Sequence, residues 1–170
     1  MRKIAGALLL LVVVTVPLRA QALPADSLFA RLIGHWVLRG TIAGQSTTHD
    51  VTFEWLLNRT YVQMHEVSRE REASGLPVYE AVVLFGRDPK SGAYAALWMD
   101  NTVSGAFDPA GIGRGSVVGD SVSFLFQDST RSSFHTTFLY DATADAWQWH
   151  MDNDSAGVRR PFARVRLTRG

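Results

Sequence analysis

The chain has 170 residues, 46% of them hydrophobic and 19% charged, and it contains no cysteine. That excludes disulfides, thiolate-held zinc or iron–sulfur centres and thiol nucleophiles, so stability has to come from a packed core. The formal charge is +1, but removing Arg2, Lys3 and Arg19 with residues 1–22 leaves 14 basic against 16 acidic residues, a net −2. Such a chain lacks the basic excess that nucleic-acid binding uses.

Residues 1–22 read as a secretory signal peptide. Arg2 and Lys3 form a basic start, and Ile4 to Val16 is an uncharged apolar run too short to span a bilayer. Pro17 breaks the run, and Ala20-Gln21-Ala22 is an A-x-A cleavage site. The expectation is an exported product, periplasmic or secreted, with residues 23–170 forming one domain. With no cysteine to carry a lipid, no membrane anchor is expected.

After Pro24, Asp26 or Ser27 can cap a short helix in which Leu28 pairs with Leu32 and Phe29 with Ile33 at helical spacing; Gly34 ends it. From there the chain repeats one unit: a short aromatic or β-branched run, then Gly, Asp, Asn or Pro. Strands are predicted at 36–42, 48–57, 61–72, 78–85 and 93–100, two short ones within the glycine-rich 101–119, then at 121–127, 133–140, from Trp147, and at 162–168. Arg69-Glu70-Arg71-Glu72 is read as a solvated hairpin tip, and Arg87 to Gly92 as a turn. About ten antiparallel strands with hairpin connections most safely remove their edges by closing. The predicted fold is an all-β, up-and-down closed barrel with a short N-terminal helix.

The motif Gly34-x-Trp36 on the first strand, after a short helix, resembles the opening of the calycin superfamily, which holds the lipocalins and fatty-acid-binding proteins. Leu32-x-Gly34-x-Trp36-x-x-x-Gly40, Leu57-Asn58-Arg59-Thr60-Tyr61, Tyr79 with Leu84-x-Gly86-x-Asp88, and Tyr94-x-x-x-Trp98-x-Asp100 follow in an order similar to a family of uncharacterised exported bacterial proteins of that superfamily. The resemblance covers roughly residues 28–169. It departs at Leu57-Asn58-Arg59, where the family tends to have glycine before the arginine. It implies a lipocalin-like barrel that binds a small molecule, and an arginine from the chain's end packed over Trp36. Arg166 is assigned to that barrel end with Gly34 and Trp36, with Arg164 and Arg169 as alternatives.

Strand parity turns most of the 18 aromatic residues to one side. Trp55, Tyr79, Phe85, Tyr94, Trp98, Phe124, Phe126, Phe134, Phe138, Tyr140, Trp147 and Trp149 are the candidate interior, first as core and then as walls for a small, mainly apolar guest. Asp100 shares the parity of Tyr94 and Trp98. It is either a carboxylate at the pocket edge or the start of a turn with Asn101, the turn being favoured.

No catalytic constellation assembles, and none is assigned. His65-Glu66 begins like a zincin motif, but the second histidine position is Arg69, and no metal site is assigned. Asp152 to Gly157 resembles the start of a calcium loop without its later ligands. A haem reading would need a late histidine in the cavity; the parity of His150 opposes that of Trp147 and Trp149 unless a bulge reverses it, so no cofactor is expected and haem through His150 stays a lesser alternative. An enzyme using Asp100 and Tyr94 as a hydrolase or isomerase is the alternative function, and a protein-interaction module using the barrel's outside or mouth is a third.

Overall fold

In a computed structural model, residues 28–88, 90–102, 109–127 and 132–170 are described. The signal-peptide segment and the capping Asp26 and Ser27 lie outside them. One helix, α1 (Leu28–Leu32), is followed by β1 (Gly34–Ile42), β2 (Gln45–Leu56), β3 (Tyr61–Ser68), β4 (Glu80–Arg87), β5 (Tyr94–Asp100), β6 (Ile112–Val118), β7 (Ser121–Gln127), β8 (Ser133–Asp141), β9 (Ala146–Ser155) and β10 (Val158–Arg169). Each strand pairs antiparallel with its sequence neighbours, and β10 returns to β1, from Trp36 opposite Arg169 to Ile42 opposite Ala163, so the barrel closes.

The alternation seen in the sequence is the alternation of burial. Val62, Met64 and Glu66 on β3, Ala81, Val83 and Phe85 on β4, and Val122, Phe124 and Phe126 on β7 all face the axis. Phe138 stacks on Trp149 at 4.5 Å and meets Phe53 and Phe85 edge-on, which fills the barrel's middle with rings.

Five residues are too few for a free helix. α1 is held because Phe29 and Leu32 are fully buried across one end of the barrel. Phe29 stacks on Tyr94 at 5.1 Å, and the Trp36 indole donates to the Leu32 carbonyl at 2.6 Å. This end is closed.

Two expectations are corrected here, and a third lies partly outside the described residues. The cation over Trp36 is Arg169, 3.8 Å from the ring centre, whereas Arg166 points outward and pairs with Asp141 at 3.3 Å. Parity explains it: Val165 and Leu167 face inward, so Arg166 cannot, and Arg169 continues the inward row past the barrel's rim. Gly34 belongs to the same device, because at φ +124 a Cβ there would lie 2.9 Å from the Arg169 guanidinium.

Within 101–119 the described residues hold one strand, β6, preceded by a 3-10 turn at Pro109–Gly111. Its glycines are inward positions whose side-chain space is taken by rings across the ladder. A Cβ at Gly113 would sit 2.6 Å from Phe126, and one at Gly115 2.5 Å from Phe124.

β3 stops at Ser68 rather than at the charged tip. Residues 69–79 then form a loop closed by an Arg71–Pro77 bridge, in which Arg69 turns out to Asp50.

Candidate functional site

The end opposite α1 is not filled. A cavity of about 790 Å³ opens there between the start of β2, the ends of β3 and β5, and the hairpin ends of β7 to β10. Its apolar wall is built on Trp98, which meets Phe126 at 6.0 Å and Phe134 at 6.3 Å edge-on and Trp149 at 5.9 Å. Phe162 joins the wall because the β9–β10 register slips between Pro161 and Ala163. Such a bulge re-aims one side chain, and here it allows neighbouring residues to serve the interior.

The polar wall lies opposite. Glu66 on β3 and His49 on β2 are almost completely buried, and the Glu66 Oε1 to His49 Nδ1 distance is 2.5 Å. His49 Nε2 meets Thr47 Oγ1 at 2.7 Å, and the Thr47 hydroxyl donates to Glu70 at 3.2 Å. The tautomer of His49 decides which partner donates in the Thr47 contact, and a proton lies between Nδ1 and Oε1 at their separation. The second Glu66 oxygen, Oε2, is buried with no hydrogen-bond partner among the described residues.

Tyr79 stacks on His49 at 5.7 Å. Its phenol is raised far above the ordinary tyrosine value, by burial first and then by the charges of Glu66 and Asp100, against a lowering hydrogen bond from Trp98. It is a neutral hydroxyl at any physiological pH.

Asp100 satisfies both of its sequence readings. It accepts from the Thr102 amide at 2.9 Å, closing the turn, and from the Trp98 indole at 3.1 Å, standing at the cavity's edge.

Of the candidate interior residues, Tyr79, Trp98, Asp100, Phe126 and Phe134 line the cavity. Phe85, Phe124, Phe138, Trp147 and Trp149 are buried in the ring-filled core. Tyr94 lies under α1, Tyr140 sits beneath Arg31 at the closed end, and Trp55 carries Arg59 over its ring. Tyr94 and Asp100 stand at opposite ends of β5, about 20 Å apart along the strand, so they cannot act on one substrate.

His150 lies on the outer face of β9, opposite Thr137 and Arg164, and does not line the cavity. It therefore does not fit the role of an axial haem ligand. Among the described residues no cluster of three or more His, Asp or Glu could hold a metal ion.

His49 and Glu66 were not singled out from the sequence as interior groups. The signal was present: His49 shares the parity of Val51, Phe53 and Trp55, and Glu66 that of Val62 and Met64.

No family model matches the chain, and no curated protein matches it. Among solved structures it is similar to the crystal structure of Rv2717c from M. tuberculosis, with 16% identity, a TM-score of 0.55, and coverage of 88% of this chain and 99% of that one. At that identity the likeness speaks for the barrel fold alone.

Proposed function

We propose that this is an exported, calycin-like barrel that binds a small, mainly apolar molecule in its open end. One observation carries the reading: a cavity of about 790 Å³, walled by aromatic rings, holds a buried carboxylate oxygen with no partner among the described residues. Ligand sites are concave, mostly apolar and fixed by a few convergent polar groups, within a range of about 300–1,000 Å³. The sequence of residues 1–22 supports export, and Gly34-x-Trp36 with its capping arginine supports the superfamily.

Titration with Nile red, together with native mass spectrometry of protein purified from its own compartment, tests this. Binding should raise and blue-shift the dye's emission, and Trp98→Ala should weaken it. A protein that neither takes up the dye nor retains any small molecule would end the reading.

The Glu66–His49 pair favours a second reading, an acid–base enzyme using the same cavity. A carboxylate and an imidazole in an apolar site are groups that move protons. Conversion of a bound molecule that Glu66→Gln abolishes would select it over simple binding.

A further inference from the structure

Resting on the binding reading above, we infer that the molecule taken by the open end carries a protonated amine, or a similar nitrogen cation, whose N–H donates to Glu66 Oε2. Three independent features converge on that chemistry. Glu66 lines the cavity, and Oε2 is buried without a partner among the described residues. Whichever group holds the proton that bridges Glu66 Oε1 and His49 Nδ1, Oε2 remains an acceptor, so the complement it lacks is a donor. A buried acceptor left unmade costs about 1–3 kcal/mol, which a donating guest relieves.

Charge separates a cationic donor from a neutral one. The described lining residues include Glu66, Glu70 and Asp100 but no lysine or arginine. Two arginines near the site in sequence face away: Arg69 is held by Asp50 at 2.6 Å, and Arg164 by Asp152 at 2.5 Å. Against these carboxylates the described lining offers no lysine or arginine, so Asp100 and Glu70 set the field at the mouth. It favours a cation and disfavours an anion such as a fatty-acid carboxylate.

The rings complete the case. Tyr79 stacks on His49 beside this acidic side, and Trp98, Phe126, Phe134 and Phe162 line the same cavity. Aromatic faces attract ammonium groups as well as apolar bodies, so one lining serves both halves of an amphipathic amine.

The experiment uses three probes with one apolar body and three heads: phenylbutylamine, phenylbutanol and phenylbutyrate. Affinities of the full chain are measured by calorimetry at neutral pH. The amine should bind about tenfold more tightly than the alcohol, with the carboxylate weakest. Glu66→Gln, with its folding checked by circular dichroism, should collapse the amine-to-alcohol ratio towards one. Asp100→Asn should reduce that ratio severalfold and serves if Glu66→Gln does not fold.

If the alcohol or the carboxylate binds as well as the amine, the inference is overturned while small-molecule binding stands. An unchanged ratio in both variants also overturns it. If none of the three probes binds and Nile red is not taken up, both readings fall together.

Discussion

The Arg169 guanidinium lies 3.8 Å from the centre of the Trp36 ring, and this contact ties the last strand of the barrel to the first. Arg169 also donates to the Ile33 carbonyl at 2.9 Å and to Asp145 at 2.9 Å, so one side chain staples α1, β1, β10 and the β8–β9 turn. A cation over tryptophan contributes about 0.5–2 kcal/mol, and charged hydrogen bonds add to it. Arg169→Ala should therefore lower stability by about 2 kcal/mol in urea denaturation, with a red shift of Trp36 emission. Arg166→Ala should change both less, because its pair with Asp141 is only partly buried and lies on the outer face.

The same staple has a pH signature. Hydrogen bonds from Arg169 first, and then from Tyr140, hold the Asp145 carboxyl below the ordinary aspartate value. A lowered folded value means the contribution is complete above the unfolded pKa and is lost as pH falls through the folded one. The melting temperature of wild type should exceed that of Asp145→Asn at neutral pH. The two should converge in the acid range below the ordinary aspartate pKa of about 3.9.

Three consecutive non-glycine residues, Leu57, Asn58 and Arg59, hold left-handed backbone at φ 47, 57 and 65 between β2 and β3. Each such residue costs about 1–2 kcal/mol, less for asparagine. Leu57 is 73% exposed and so loses little packing when removed. Leu57→Gly should raise stability by about 0.5–1 kcal/mol after the extra freedom of glycine in the unfolded chain is counted. A lower melting temperature would show that the turn is not strained.

The fold was legible because the period-two pattern was clean wherever side chains were large: Val122, Phe124 and Phe126 announce their face without ambiguity. Legibility failed where the pattern is carried by missing side chains, as at Gly113 and Gly115, whose inward positions are filled by rings from β7. It also failed where polar residues take the inward parity. His49, Glu66 and Ser68 face the cavity, and a reading that equates apolar with inside passes over them. Arg166 against Arg169 was a matter of strand phase, fixed once Leu167 is known to face the core.

Gly113 and Gly115 offer a contrast between cavity and framework. A methyl at Gly113 would press on the Phe126 ring, which can swing toward the open cavity. A methyl at Gly115 would lie 2.4 Å from the Ser123 backbone oxygen, which cannot yield without breaking the β6–β7 ladder. Gly113→Ala should keep near-wild-type stability and weaken Nile red binding severalfold, whereas Gly115→Ala should cost about 1–3 kcal/mol in chemical denaturation. Equal effects on both measurements would mean that Phe126 does not border the binding space.

The Glu66–His49 pair gives the last test, which concerns why such a pair is kept. Two ionisable groups in an apolar barrel each carry a desolvation cost that their mutual contact only partly offsets. Glu66→Leu or His49→Phe alone leaves the other group buried without its partner and should cost about 2–4 kcal/mol. The double variant His49→Phe with Glu66→Leu removes both polar groups, keeps a ring against Tyr79, and should be more stable than either single variant. The coupling should be about 1–3 kcal/mol by urea denaturation. That variant should also lose selectivity for the amine probe. A double variant as stable as wild type but without amine preference would place the pair among groups retained for recognition at the expense of stability, the pattern expected of a binding site. Additive losses would instead make His49 and Glu66 independent parts of the framework.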